Sequence, residues 1–107
     1  MKHELRSIEE KEVLPGLFAK FIHSENMSFV YWRIEKGADL PAHSHHHEQV
    51  VNVLEGEFVL NVNGNDVNLK PGNVFVIAPH AEHGGKAITD CRILDVFYPV
   101  RNDYKTN

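Results

Sequence analysis

At 107 residues the chain can build one hydrophobic core but not two. Its 15 acidic and 11 basic side chains give a net charge of -4 with no basic stripe, which argues against a nucleic-acid partner, and no apolar run approaches the ~20 residues of a membrane span. Cys91 is the single cysteine, so no intrachain disulfide can form, and the start Met1-Lys-His-Glu-Leu-Arg lacks the apolar run of a secretion signal; a soluble cytoplasmic single domain is expected.

The charged ends, residues 1–12 and 102–107, are expected to lie outside a barrel spanning about 13–101. Between them the pattern is that of short strands broken by turns. Met27 to Glu35 is rich in β-branched and aromatic residues, which favour a pleated, half-buried surface. Gln49 to Leu54 and Glu57 to Asn63 follow, separated at Gly56. Asn63-Gly64-Asn65 predicts a hairpin turn, because Asn and Gly tolerate the positive φ of tight turns, and Asp66 to Lys70 is the return strand. Pro71-Gly72 marks another turn, and Val74 to Ala78 and Cys91 to Tyr98 complete the set. No stretch sustains a helical period, so the expected fold is an all-β antiparallel sandwich or barrel.

Histidine is the compositional outlier, with eight in the chain and four of them between His43 and His47. Two histidines at i, i+2 on an extended segment point to the same side, so His43 and His45 can reach one ion, with Gln49 and the more distant His83 as third and fourth ligands. Glu48 lies one residue out of that register and should face away. His46 and His47 are expected in a solvated turn, His80 in a loop near the pocket mouth, and His3 and His23 at the surface. Imidazole suits Zn, Cu, Fe and Ni, and an oxygen donor adds Mn, so the expectation is one divalent transition metal of unassigned identity (Ni, Zn, Mn or Fe). A neutral amide at Gln49, in place of a carboxylate, leaves a three-histidine site with two net positive charges. Such a site should attract an anionic, oxygen-rich ligand and act on it as a Lewis acid.

The spacing from Gly37 through His43-Ser44-His45 and Gln49 to Gly56 resembles the first signature motif of the cupin superfamily, in which the position of Gln49 is usually Glu. Pro71-Gly72 through His83 resembles the second motif, with Ala78 where Pro is usual and His80 where Gly is usual. Neither departure falls on a ligand position, so they bear on loop shape. The resemblance implies a single-domain cupin, a double-stranded antiparallel β-barrel of the jelly-roll kind.

Along the last strand Ile93, Asp95 and Phe97 share one face, while Leu94, Val96 and Tyr98 line the other. A strand apolar on both sides puts one face into the barrel and the other against a second sheet or another subunit, and a homodimer is expected. A carboxylate on the inner face needs a reason, since an unpaired buried charge is costly. Asp95 either pairs with an arginine (Arg101, Arg33 or Arg92) or handles a proton.

The run from Asp95 through Phe97, Arg101 and Asp103 to Tyr104, taken with His43 to Gln49, resembles the small pectin-degradation cupins of the KdgF type over roughly residues 27–104. That resemblance implies a metal held by His43, His45, Gln49 and His83, with Asp95, Phe97 and Arg101 lining the pocket. It also implies action on 4,5-unsaturated monouronates released by pectate or alginate lyases, opening the ring to the linear keto form. The chemistry agrees: a cation to stabilise enolate charge, Arg101 for the carboxylate, Asp95 for the proton, and Phe97 against the sugar face. Two rival readings are a cupin dioxygenase, which would need ferrous iron and O2, and a non-catalytic sugar-binding cupin.

Overall fold

The computed structural model describes residues 1–105; Thr106 and Asn107, which the sequence reading places outside the barrel, lie outside the described residues. Among the described residues there are ten strands: β1 (Lys11–Leu14), β2 (Leu17–His23), β3 (Ser28–Ile34), β4 (Asp39–His43), β5 (Glu48–Glu55), β6 (Phe58–Val62), β7 (Asn65–Leu69), β8 (Val74–Ile77), β9 (His83–Ala87) and β10 (Cys91–Tyr98). Single turns of 3-10 helix at Leu5–Ser7 and Asn102–Tyr104 flank them. Among the described residues no helix is long and apolar enough to cross a membrane.

Every pairing is antiparallel. One sheet has the order β1-β2-β3-β10-β5-β8 and the other β4-β9-β6-β7. The strict in-out alternation of β3 and β10 places Val30, Trp32, Ile34, Ile93 and Phe97 in the space between the sheets. Phe58 and Leu60 of β6 and Leu69 of β7 meet them from the facing sheet. The β6–β7 hairpin turns through Asn63 and Gly64 at φ 51° and 85°, the two positive values that this turn requires.

Two boundaries differ from the sequence expectation. The barrel takes in Lys11 and Glu12, because β1 pairs with β2 through the turn at Pro15-Gly16. At the other end the helical turn after β10 folds back, and Tyr104 packs on the core. Cys91 is buried on the same face of β10 as Ile93, Asp95 and Phe97.

Candidate metal centre and pocket

Sheet register brings the distant histidines together. His43 ends β4 and lies opposite His83, the first residue of β9; His45 follows in the loop, and Gln49 enters β5 on its inward face beside Phe97 of β10. Glu48 is exposed and Gln49 buried, as the register required.

The three imidazoles share one hydrogen-bond pattern. Nδ1 of His43 donates to the Pro41 carbonyl (3.0 Å), that of His45 to the His47 carbonyl (3.1 Å), and that of His83 to the Ala81 carbonyl (2.9 Å). A proton on each Nδ1 leaves each Nε2 with a lone pair, the state in which imidazole binds a metal. One nitrogen from each ring lies within 4.8 Å of the others. Nε2 of His83 is buried without a hydrogen-bond partner among the described residues, and Nε2 of His45 faces Oε1 of Gln49 at 3.1 Å. Lone pairs converging in this way repel one another unless a cation sits among them, so the donor set fits a transition metal. Burial, with the positive charge of Arg101 next, pushes His45 down to about 4, and burial also lowers His83. Both rings are therefore neutral near pH 7.

A cavity of about 340 Å³ opens beside this cluster. Its polar end carries His43, Gln49, His83, Asp95 and Arg101, with Phe97 and Tyr104 adjoining. The rest of its wall is apolar, from Val13 and Leu14 of β1 to Leu40 of β4 and Leu60 of β6.

Asp95 is buried, and the Trp32 indole N–H donates to its Oδ2 at 2.9 Å. Oδ1 makes no hydrogen bond among the described residues. Burial raises the carboxyl to about 7, against the opposing pull of the Gln49 amide, the Trp32 indole and the Arg101 charge. Of the two alternatives for Asp95, the arginine ion pair is absent among the described residues: Arg33 pairs with Glu10 (2.8 Å), Arg92 with Glu55 (3.3 Å) and Arg101 with Asp103 (2.7 Å).

Two further histidines depart from expectation. His47 is buried, not solvated: its ring lies edge-on to His45 and Phe97 at 5.3 and 6.4 Å, because the loop folds inward to present the carbonyl that orients His45. His23 is half-buried, with Nδ1 2.7 Å from Ser28 Oγ. His80 sits in the loop as expected, at φ 69°, and its N–H donates to the His45 carbonyl. Trp32, Asp103 and Tyr104 contact the site but carry no metal-ligand or nucleophile pattern; Asp103 and Tyr104 fell within the run that resembles the KdgF-type cupins without a role being assigned, and Trp32 had no signal in the sequence.

Two facing antiparallel sheets with a histidine cluster that could hold a metal ion define a β-barrel-like fold, and the chain belongs to the cupin family: residues 30–97 match the model of the cupin domain. The chain is similar to the solved structure of KdgF from Halomonas sp., with 30% identity, a TM-score of 0.87, and coverage of 92% of this chain and 93% of that one. It is also similar to an L-ectoine synthase of Nocardia farcinica (34% identical, covering 90% of this chain and 78% of that protein). A third likeness is to the H2HPP isomerase of Bacillus subtilis (23% identical over 91% of this chain), of whose length this chain spans 42%.

Proposed function

We propose that this cupin is a metal-dependent, isomerase-like enzyme that opens 4,5-unsaturated monouronates to linear keto-uronates. One observation carries the reading. A three-histidine cluster of which His43 and His83 reach the cavity wall, a buried carboxylate with a free oxygen, and a buried arginine with a free nitrogen meet at one cavity. The similarity to KdgF at 30% identity supports it.

His43, His45, His83 and Gln49 would hold the metal, which when bound supplies Lewis-acid polarisation of the sugar oxygens. The substrate is a cyclic hemiacetal whose C4=C5 bond is conjugated to a carboxylate. Opening it gives a C1 aldehyde and a C5 enol, and the enol becomes the keto acid by gaining a proton at C4. Asp95 is placed to move that proton: Trp32 holds Oδ2, and Oδ1 is left to serve the substrate. Arg101 receives the carboxylate, and Phe97 packs against the ring. A free, buried Cys91 fits a reducing cytoplasmic setting.

The test is the loss of ultraviolet absorbance of freshly made unsaturated galacturonate or mannuronate, corrected for spontaneous opening. Metal-loaded protein should exceed the spontaneous rate, and Asp95→Asn should keep fold and metal while losing ~10²- to 10⁴-fold in turnover. A rate equal to the spontaneous one on every uronate would reject the activity and leave a sugar-binding module. Oxygen consumption with ferrous protein would point instead to a dioxygenase.

The apolar wall favours a second reading. Leu17, Ile34, Leu40, Phe58 and Leu60 offer no partners to sugar hydroxyls, and they suit an unsaturated acid with a carbocyclic body. The similarity to the H2HPP isomerase supports an isomerase reading for either substrate. Turnover of a cyclohexadienyl keto acid, with none of a uronate, would select it.

A further inference from the structure

Arg101 has five N–H donors in a rigid plane, and the structure has already committed two of them. Nε donates to Asp103 Oδ1 at 3.0 Å and Nη2 to Asp103 Oδ2 at 2.7 Å, a two-point pairing along one edge of the guanidinium. Nη1 is buried and has no hydrogen-bond partner among the described residues. The plane is fixed as well: the guanidinium carbon lies 4.7 Å from the Phe97 ring centroid and 4.1 Å from that of Tyr104. The backbone is tied separately, because the Arg101 N–H donates to the Ser28 hydroxyl at 2.8 Å, and Ser28 is fully buried.

We infer that Asp103 is a positioning residue, which takes the Nε–Nη2 edge of Arg101 so that only the Nη1–Nη2 edge meets a substrate carboxylate. This rests on the reading of Arg101 as the group that receives that carboxylate. It also changes the geometry of that reading: the side-on edge is closed to the ligand, and binding is end-on. Without Asp103 a long arginine side chain would choose among rotamers and could swing either edge toward the cavity, at a cost in entropy on each binding event. Asp103 is not among the residues that line the cavity, so its carboxylate acts on the substrate through Arg101.

Charge gives the test a sign. Asp103 is an anion close to where an anionic substrate binds, so its removal should lower KM if only through-space repulsion mattered. Loss of positioning has the opposite effect. In the metal-loaded full chain, Asp103→Asn should raise KM for the unsaturated uronate ~10- to 100-fold, the range of a charge-assisted hydrogen bond, with a smaller fall in kcat. Asp103→Glu, which keeps the carboxylate, should recover part of that loss. Nitrogen-15 spectra of the arginine side chain report the pairing without turnover: wild-type protein should resolve the Arg101 Nη1 and Nη2 signals through slow rotation about Nε–Cζ, and Asp103→Asn should merge them. An unchanged or lower KM in Asp103→Asn, with Arg101→Ala clearly impaired, would overturn the positioning role and leave the carboxylate role of Arg101 standing. Wild-type KM in Arg101→Ala would remove that role and the positioning role with it.

Discussion

Each of the three clustered histidines is steered by a carbonyl two residues away, so the local backbone aims Nε2 before any metal arrives. Such a site should hold about one transition-metal ion per chain in protein purified without an affinity tag, and His45→Ala with His83→Ala should abolish it, as read by elemental analysis. A ligand that binds only the folded state stabilises it by ~2.7 kcal/mol at 100 times its Kd, so stripping the metal with a chelator should lower Tm measurably, and re-addition should restore it. Acid should act through a different residue. The hydrogen bond from Arg101 holds the Asp103 carboxyl below its ordinary 3.8, so the charged form is the one the fold favours. Its stabilisation is present above pH 3.8 and lost as pH falls through the lowered folded-state value. The stability gap between wild type and Asp103→Asn in denaturant titrations should therefore be flat between about pH 7 and 5 and close below about pH 4. Among these residues, His43, His45, Gln49 and His83 were legible as a spaced motif, and the parity of β10 put Asp95 inward. The pairing of Arg101 with Asp103 was not legible, because two residues on a turn carry no periodicity that says which side chains meet.

Strand β9 shows how an element can be specified by its neighbours. His83-Gly84-Gly85-Lys86-Ala87 has little intrinsic strand preference, and nothing in its sequence announces a strand. It runs between β4 and β6 because its glycines let both approach: a Cβ on Gly84 would lie 2.6 Å from the Leu40 carbonyl oxygen, and one on Gly85 would drive into the Phe58 ring. Gly85→Ala should therefore cost ~1–3 kcal/mol, the usual penalty for overpacking a core, read as a lower denaturant midpoint. It should also weaken metal binding, because His83 begins the same strand. β2 escaped the sequence reading for the opposite reason: Leu17, Ala19 and Phe21 face inward while Phe18 and Ile22 cover the outer side, so no alternation of period two marks it. β4 contains Pro41 and is tolerated as an edge strand, where a missing N–H breaks no ladder between two neighbours. By contrast β3, β5, β6 and β10, whose apolar residues alternate or fill a turn-bounded run, were all readable within a residue or two at each end.

At the scale of the whole molecule, the N-terminal segment meets the outer face of the six-stranded sheet at β2 and β3, where Lys20 donates to the Leu5 carbonyl and Arg33 pairs with Glu10, while the β10-β5-β8 end of that face carries exposed apolar side chains. The four-stranded sheet packs on its inner side. Cross-strand register aligns Ile22, Phe29, Val96, Val50 and Val76 into one apolar row running from β2 to β8, with Lys20, Tyr31, Leu94, Asn52 and Val74, a mixed row, next to it. Val76 in that apolar stripe, and Val74 and Tyr98 beside it, are each more than half exposed. A third row ends the patch with Arg33, Arg92 and Glu55, charges of both signs that a twofold-related copy can match. We propose that two chains pair through this face, and that the homodimer is what keeps the stripe from water. A stable pairing buries roughly 800 Å² on each partner. Light scattering should report twice the chain mass at micromolar concentration, and Val76→Lys, which places a charge in the stripe without touching the barrel interior, should shift the mass to that of one chain while leaving metal content unchanged. A monomeric wild type would show that the face is solvated as it stands. Because the pocket opens on the other side of β10, between the sheets, Val76→Lys should leave KM within about twofold of wild type, so assembly and chemistry can be separated by a single substitution.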